Sequence, residues 1–334
     1  MSPRTRRILR ADRVGAVLAL VPFLVGAGVG ANAATGVPST PVATVQDSSI
    51  TESSGLVVDG DRFVTTNDSG DTGRVFTLDR TGRTVGVTYW AASPTDVEAL
   101  APAGSGQVWV ADIGDNDRRR QSISVARIPV GPGTRRVEPT IFQLTYPDSA
   151  QDAESLVVDP RTGRLYVVTK GFTGGVVFAA PEVLSADGQN RLTPVGSTIP
   201  IATDAAFFPD GRHLVVRGYG SATVYAWPGL RRVGSFDLPR QRQGEGIAVD
   251  GRNRVFLSSE GRDQPILRIT LPPSVRAAVA GGATSSSAPA PAAAPTEIAA
   301  PMPGISISGW GLWALWGGIL AGGVFVLTRA LRPN

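Results

Sequence analysis

One pattern occurs five times along the chain and limits what it can fold into. The copies are "TESSGLVVDGDRFVTTNDSG" from Thr51, "TDVEALAPAGSGQVWVADIGD" from Thr95, "QDAESLVVDPRTGRLYVVTKG" from Gln151, "ATDAAFFPDGRHLVVRGYG" from Ala202 and "RQGEGIAVDGRNRVFLSSEG" from Arg242. Each runs from an acidic residue through an apolar run, a turn rich in Gly, Asp and Pro, and a second apolar run to a polar cluster. With Leu56, Leu100, Leu156, Phe207 and Ile247 as equivalent positions, the steps are 44, 56, 51 and 40 residues, the span of a propeller blade. The segments alternate apolar and polar with period two and are rich in Val, Tyr, Phe and Thr, as strands are. The expectation is an all-β, five-bladed β-propeller.

The first repeat carries four strand signals, Gly55 to Val58, Arg62 to Thr66, Arg74 to Leu78 and Thr84 to Trp90, joined by Asp- and Gly-rich turns. Four antiparallel strands make one blade. The fifth repeat shows only three, Gly246 to Val249, Arg254 to Ser258 and Ile266 to Leu271. The segment "PVATVQDSSI" from Pro41 has the composition to supply the fourth, closing the ring with an N-terminal strand and removing its open edges. A six-bladed ring is the alternative. It would need about 38 residues per blade between Pro41 and Leu271, at odds with the repeat spacing.

Both ends read as targeting elements. Five arginines, from Arg4 to Arg13, precede an apolar run from Val14 to Val29, and "ANA" offers a small-residue cleavage site before Ala34. "TRRILR" at Thr5 also fits a twin-arginine signal, with an ordinary basic leader as the plainer reading. Ile307 to Leu327 is an uncharged run of 21 residues, long enough to span a bilayer. Trp310, Trp313 and Trp316 crowd its start, and Arg329 and Arg332 follow it, an asymmetry that puts the repeats outside the cell. Gly318 and Gly322 give a GxxxG spacing that can support a weak helix-mediated dimer. The expected organisation is thus a signal peptide over 1–33, a propeller over 41–273, an Ala/Pro/Ser-rich stalk over 274–306, a transmembrane helix over 307–327 and a cytosolic tail over 328–334. The stalk composition builds no core.

The formal charge of +4 does not mark a nucleic-acid partner. Leaving out the seven basic residues and one acidic residue of the signal and tail gives 25 basic and 27 acidic residues, and no basic face interleaved with aromatics is visible. The absence of Cys and the single histidine, His213, exclude Cys/His metal centres and leave a serine triad without a ready base. Oxygen chemistry remains. In a propeller the innermost strands line the axis, so Ser54, Glu98, Glu154, Asp204 and Glu245 are expected to converge there. Mutual repulsion among them calls for a cation, and carboxylate and hydroxyl oxygens suit Ca2+. The competing reading makes these acids strand caps or arginine partners.

Antiparallel pairing puts the end of each second strand beside the start of the first. A second ring follows, with Asp68, Asp112, Lys170, Arg217 and Glu260 as candidate catalytic residues at one mouth of the channel. Lys170 is the only lysine, against 31 arginines, and an ammonium in a carboxylate-lined cleft is a site candidate.

At these residues the chain resembles the calcium-activated nucleotidase (apyrase) family. "ESSGLVV" and "VTTNDSGDTG" resemble that family's first blade, with Ser54 and Asp68 in corresponding places. Glu98 in "VEAL", Lys170 at a position basic in the family and Glu245 in "GEGI" continue the likeness over Glu52 to Leu271. "DAESL" and "IGDND" depart from it. The chain is also similar to secreted actinobacterial propellers that share "NDSGD", "DIGDN" and "DAESLVVDPRTG". The first resemblance implies a five-bladed propeller with axial calcium that hydrolyses nucleoside di- and triphosphates. Two functions follow as expectations: a cell-surface, calcium-dependent phosphohydrolase acting on nucleotides or other phosphate esters, and a non-catalytic propeller that binds a small anionic ligand or a cell-envelope component.

Overall fold

A computed structural model of the protein describes residues 36–90 and 93–281. The expected signal peptide, the transmembrane run and the stalk beyond Gly281 lie outside those residues. Among the described residues no helix is long and apolar enough to cross a membrane.

Strand β1 (Ser39–Thr44) leads into the first blade, β2 (Ser53–Asp59), β3 (Arg62–Asn67), β4 (Arg74–Leu78) and β5 (Thr84–Trp90). The second blade holds β6 (Val97–Pro102), β7 (Gln107–Asp112), β8 (Ile123–Pro129) and β10 (Ile141–Thr145), with β9 (Gly133–Val137) between the last two in sequence. The third is β11 (Ala153–Val158), β12 (Leu165–Thr169), β13 (Val176–Ala179) and β15 (Thr193–Ser197), and it contains the short β14 (Asn190–Arg191). The fourth is β16 (Asp204–Phe207), β17 (His213–Arg217), β18 (Ser221–Ala226) and β19 (Arg231–Asp237). The fifth is β20 (Gly244–Val249), β21 (Val255–Ser259) and β22 (Pro265–Ile269), completed by β1 in the order β1-β22-β21-β20. The chain is therefore a five-bladed propeller closed by an N-terminal strand, as the repeats predict. Ser39 lies opposite Ile269 and Thr44 opposite Pro265.

The two long repeat steps have a structural use. Strand β9 leaves the second blade to pair in parallel with β5, and β14 leaves the third to pair with β10. Each covers the outer edge of the preceding blade, where unpaired amides and carbonyls would otherwise face solvent.

The core is divided among the seams between neighbouring blades. Val57, Val64 and Val75 pack with Leu100, Val110 and Ile128 between blades one and two, and equivalent clusters fill the second-to-third, third-to-fourth and fourth-to-fifth seams. Leu56, Phe63 and Phe76 meet Ala248, Phe256 and Ile266 where the last blade meets the first. Phe63 and Phe256 stand edge to face there, 5.3 Å between ring centres, a favoured aromatic geometry. Burying strands on both faces against adjacent blades explains the near-continuous apolar runs in the sequence.

Helix α1 (Pro273–Gly281) follows β22 and buries Val275 and Val279, one turn apart on the same helix face, against Phe236 and Leu238 of the fourth blade. Residues 274–281, expected to begin the stalk, thus pack on the propeller. Gly234 permits the approach, because a Cβ there would lie 2.7 Å from Val275 Cγ2.

Candidate metal and ligand site

Strands β2, β6, β11, β16 and β20 touch their neighbours in a closed ring and line the axis. The five residues picked out at their starts, Ser54, Glu98, Glu154, Asp204 and Glu245, are all buried. In four of the five strands the pairing register slips at this point: between Ser53 and Leu56, Val97 and Ala99, Ala153 and Ser155, and Gly244 and Ile247. A β-bulge leaves one residue outside the ladder and re-aims its side chain. Each bulge contains the charged or hydroxyl residue, which is how these strands open with polar groups while keeping their apolar faces in the seams.

The fourth blade differs. Asp204 pairs with Arg217 without a slip, and its carboxylate accepts the amides of Ala205 at 2.8 Å and Ile247 at 2.7 Å. Arg217 is fully buried. Its guanidinium donates to the carbonyls of Gly246 at 3.0 Å, Gly218 at 3.2 Å and Ser258 at 3.4 Å. These two residues join blade four to blade five, and Arg217 is engaged by backbone. Ser54 likewise spends its hydroxyl proton on the Glu98 carbonyl, 2.6 Å away.

The second ring lies beside the first, as antiparallel pairing predicts: Ser53 faces Asn67, Val97 faces Asp112, Ala153 faces Thr169 and Gly244 faces Ser259. Asp112 accepts the amides of Thr95 and Asp96 and is bridged by Arg120 at 2.7 Å, so it shapes the loop before β6. Glu260 accepts from Gln243 at 2.6 Å. Lys170 Nζ lies 2.6 Å from Glu154 Oε1 and 5.6 Å from the centre of the Tyr219 ring.

Asp68 from the second ring and Glu98 from the first meet at a residue that the sequence reading passed over, Asp96. The three carboxylates each offer an oxygen within 4.8 Å of the other two. Asp96 lies just before β6 and Glu98 in its bulge, and "TDVEAL" shows the two acids two residues apart. The site is held from below. Asp96 O accepts the amides of Ile113 at 3.0 Å and Gly114 at 3.1 Å, and a Cβ on Gly114 would press on the Asp96 carboxylate and lie 2.7 Å from Glu98 Oε1. That contact gives "DIGDN" a reason for its glycine.

Burial and mutual repulsion raise these groups. Burial, then the Asp68 carboxylate, pushes Asp96 up to about 7. Burial, then Glu154, Asp68 and Asp96, pushes Glu98 up to about 11. Glu260 rises to about 7 through burial and the nearby Glu245, and burial also raises Glu245. Burial opposes the Lys170 ammonium, but Glu154 holds it above its ordinary value. Glu245 Oε2 is buried and has no hydrogen-bond partner among the described residues. Six carboxylates, Asp68, Asp96, Glu98, Glu154, Glu245 and Glu260, thus share a mouth in which the Lys170 ammonium contacts one of them directly.

The acids at the opposite ends of the inner strands behave otherwise. Asp159 and Asp250 accept turn amides and pair with Arg161 and Arg254. The mouth they border is largely apolar, a cavity of about 490 Å3 lined by residues such as Val58, Leu100, Val158 and Phe207.

No family model matches the chain, and no curated protein matches it. Among solved structures the chain is similar to glutaminyl cyclase from Myxococcus xanthus, with a TM-score of 0.46 and 13% identity over 70% of this chain and 97% of that one. It is also similar to a glucose dehydrogenase, with a TM-score of 0.42 and 12% identity over 70% of this chain and 100% of that one. Likenesses this distant carry nothing about activity. What stands of the family resemblance is the five-bladed fold, which the chain's own sheets display.

Proposed function

We propose that the acidic mouth binds a divalent cation of the Ca2+ type and presents it to an oxygen-donor ligand, so that the protein is a cation-dependent ligand-binding propeller. The observation that carries this is the meeting of Asp68, Asp96 and Glu98 oxygens within 4.8 Å. The donor set fits a hard ion: it is all oxygen, and the chain has no Cys, while His213 lies elsewhere, bonded to Asp210 at 2.6 Å. Ca2+ takes about six to eight oxygens. Three carboxylates fill part of that shell, and a bound ion would offer the remaining positions to water or to a small anion.

The two basic residues among the catalytic candidates, which an anionic substrate would need free, are engaged elsewhere, Lys170 by Glu154 and Arg217 by backbone carbonyls. This favours binding over catalysis. Hydrolysis of phosphate esters is the second reading, because Glu260, raised to about 7, lies in the range for proton transfer at neutral pH. The sequence supports an exported, membrane-anchored protein whose propeller would work outside the cell, where Ca2+ is plentiful.

Thermal melts of the full-length chain test the proposal. A ligand that binds only the folded state at 100 times its Kd adds about 2.7 kcal/mol, or on the order of 5–10 °C for a domain of this size. Chelation should lower the melting temperature and Ca2+ should restore it; a melt indifferent to both would end the cation reading. Release of phosphate from phosphate esters, only with Ca2+ present, would promote the second reading.

A further inference from the structure

The trio of Asp68, Asp96 and Glu98 leaves Glu154 and Glu245 unaccounted for in the same mouth. Both are buried, and an unneutralised pair of buried carboxylates is strongly unfavourable. Lys170 is placed to answer them. Its Nζ is 2.6 Å from Glu154 Oε1, it acts electrostatically on Glu245 together with the buried Arg217, and its ammonium faces the Tyr219 ring at 5.6 Å, within the range of a cation–π contact. Glu245 Oε2, buried and without a hydrogen-bond partner among the described residues, is the independent sign that a cation belongs here. An oxygen-lined pocket with an aromatic wall is a cation subsite, and the chain's single lysine stands in it.

We propose that Glu154, Glu245 and the Tyr219 ring form a second cation subsite in the mouth, which Lys170 fills with its own ammonium. The mouth therefore takes one divalent ion where its carboxylates would otherwise take two. Lys170 acts as a resident counter-ion that sets the stoichiometry of the site. The statement about stoichiometry rests on the reading of Asp68, Asp96 and Glu98 as a cation site; the statement about the Lys170 subsite does not.

The test is equilibrium dialysis of the full-length chain against Ca2+, comparing the wild type, Lys170→Met and Lys170→Met with Glu154→Gln. Methionine keeps the unbranched side chain as far as Cε and removes the ammonium. The expected result is one ion per chain in the wild type, two in Lys170→Met and one again in the double variant. A folded Lys170→Met that still binds one ion overturns the proposal and leaves the trio reading intact. No ion in the wild type but one in Lys170→Met supports the subsite while refuting the trio. No ion in either refutes both. If Lys170→Met does not fold by itself, folding in added ethylammonium, but not in NaCl of equal ionic strength, is the supporting result. Failure in both conditions counts against the proposal.

Discussion

Asp204 Oδ2 accepts the main-chain amide of Ile247 across the seam between blades four and five at 2.7 Å. Of the five residues at the inner-strand starts, Asp204 is the one whose strand has no register slip, and it serves the fold. The Asp204→Ala variant should lose about 2–4 kcal/mol of stability through two unsatisfied buried amides. It should keep the full calcium-induced rise in melting temperature. Loss of that rise in a folded variant would move Asp204 into the metal site.

Gly114 supports the carboxylates at the other side of the ring. A methyl group at this position would displace Asp96 and Glu98, so Gly114→Ala should weaken Ca2+ binding by about 10–100-fold, the range seen when the surroundings of metal ligands are disturbed. Overpacking should also lower stability by about 1–3 kcal/mol. Calorimetric titration and a thermal melt on the same preparation separate the two effects. Unchanged affinity would show that the glycine is not what shapes the site.

Stability should depend on pH in a direction set by the raised carboxyls. Asp96 moves from an ordinary 3.8 to about 7 and Glu260 from 4.5 to about 7, so between pH 4 and 7 the folded, metal-free chain holds protons that the unfolded chain has released. Linkage then makes the stability these two groups contribute complete below pH 4 and progressively lost as pH rises through 7. Ca2+ competes with those protons and favours the ionised carboxylates. The melting temperature in chelator should fall from pH 5 to pH 8, while the increment produced by Ca2+ grows over the same interval. A chelated melt that rises with pH would contradict the assignment.

Much of this was legible in the sequence because the repeat is strong. The first-blade strands lie within two residues of their expected limits, and the shortage of a strand in the fifth repeat pointed to β1. The convergence of Glu98, Glu154 and Glu245 followed from the repeat alone. The roles within the ring did not, because Asp204 and Glu98 occupy equivalent positions and are separated only by a bulge in one strand and its absence in the other. Asp96 could have been found from its nearness to Glu98 in "TDVEAL". Arg217 carries no local sign that backbone carbonyls will surround it. Strands β9 and β14 pair with the preceding blade, a long-range choice that a local pattern does not encode. Helix α1 was hidden by a small-residue composition shared with the segment after it; the four-residue spacing of Val275 and Val279 was its one signal.

The central claim is that Asp68, Asp96 and Glu98 form one cation site, and direct measurement of bound Ca2+ tests it most closely. Isothermal titration of the chelator-stripped full-length chain at pH 7.5 should show one Ca2+ bound per chain. Substituting Asp96→Asn together with Glu98→Gln should abolish that binding while leaving the metal-free propeller at least as stable as the wild type, because the repulsion between the carboxylates is gone. Absence of Ca2+ binding by the wild type, or undiminished binding by the folded double variant, would contradict the account.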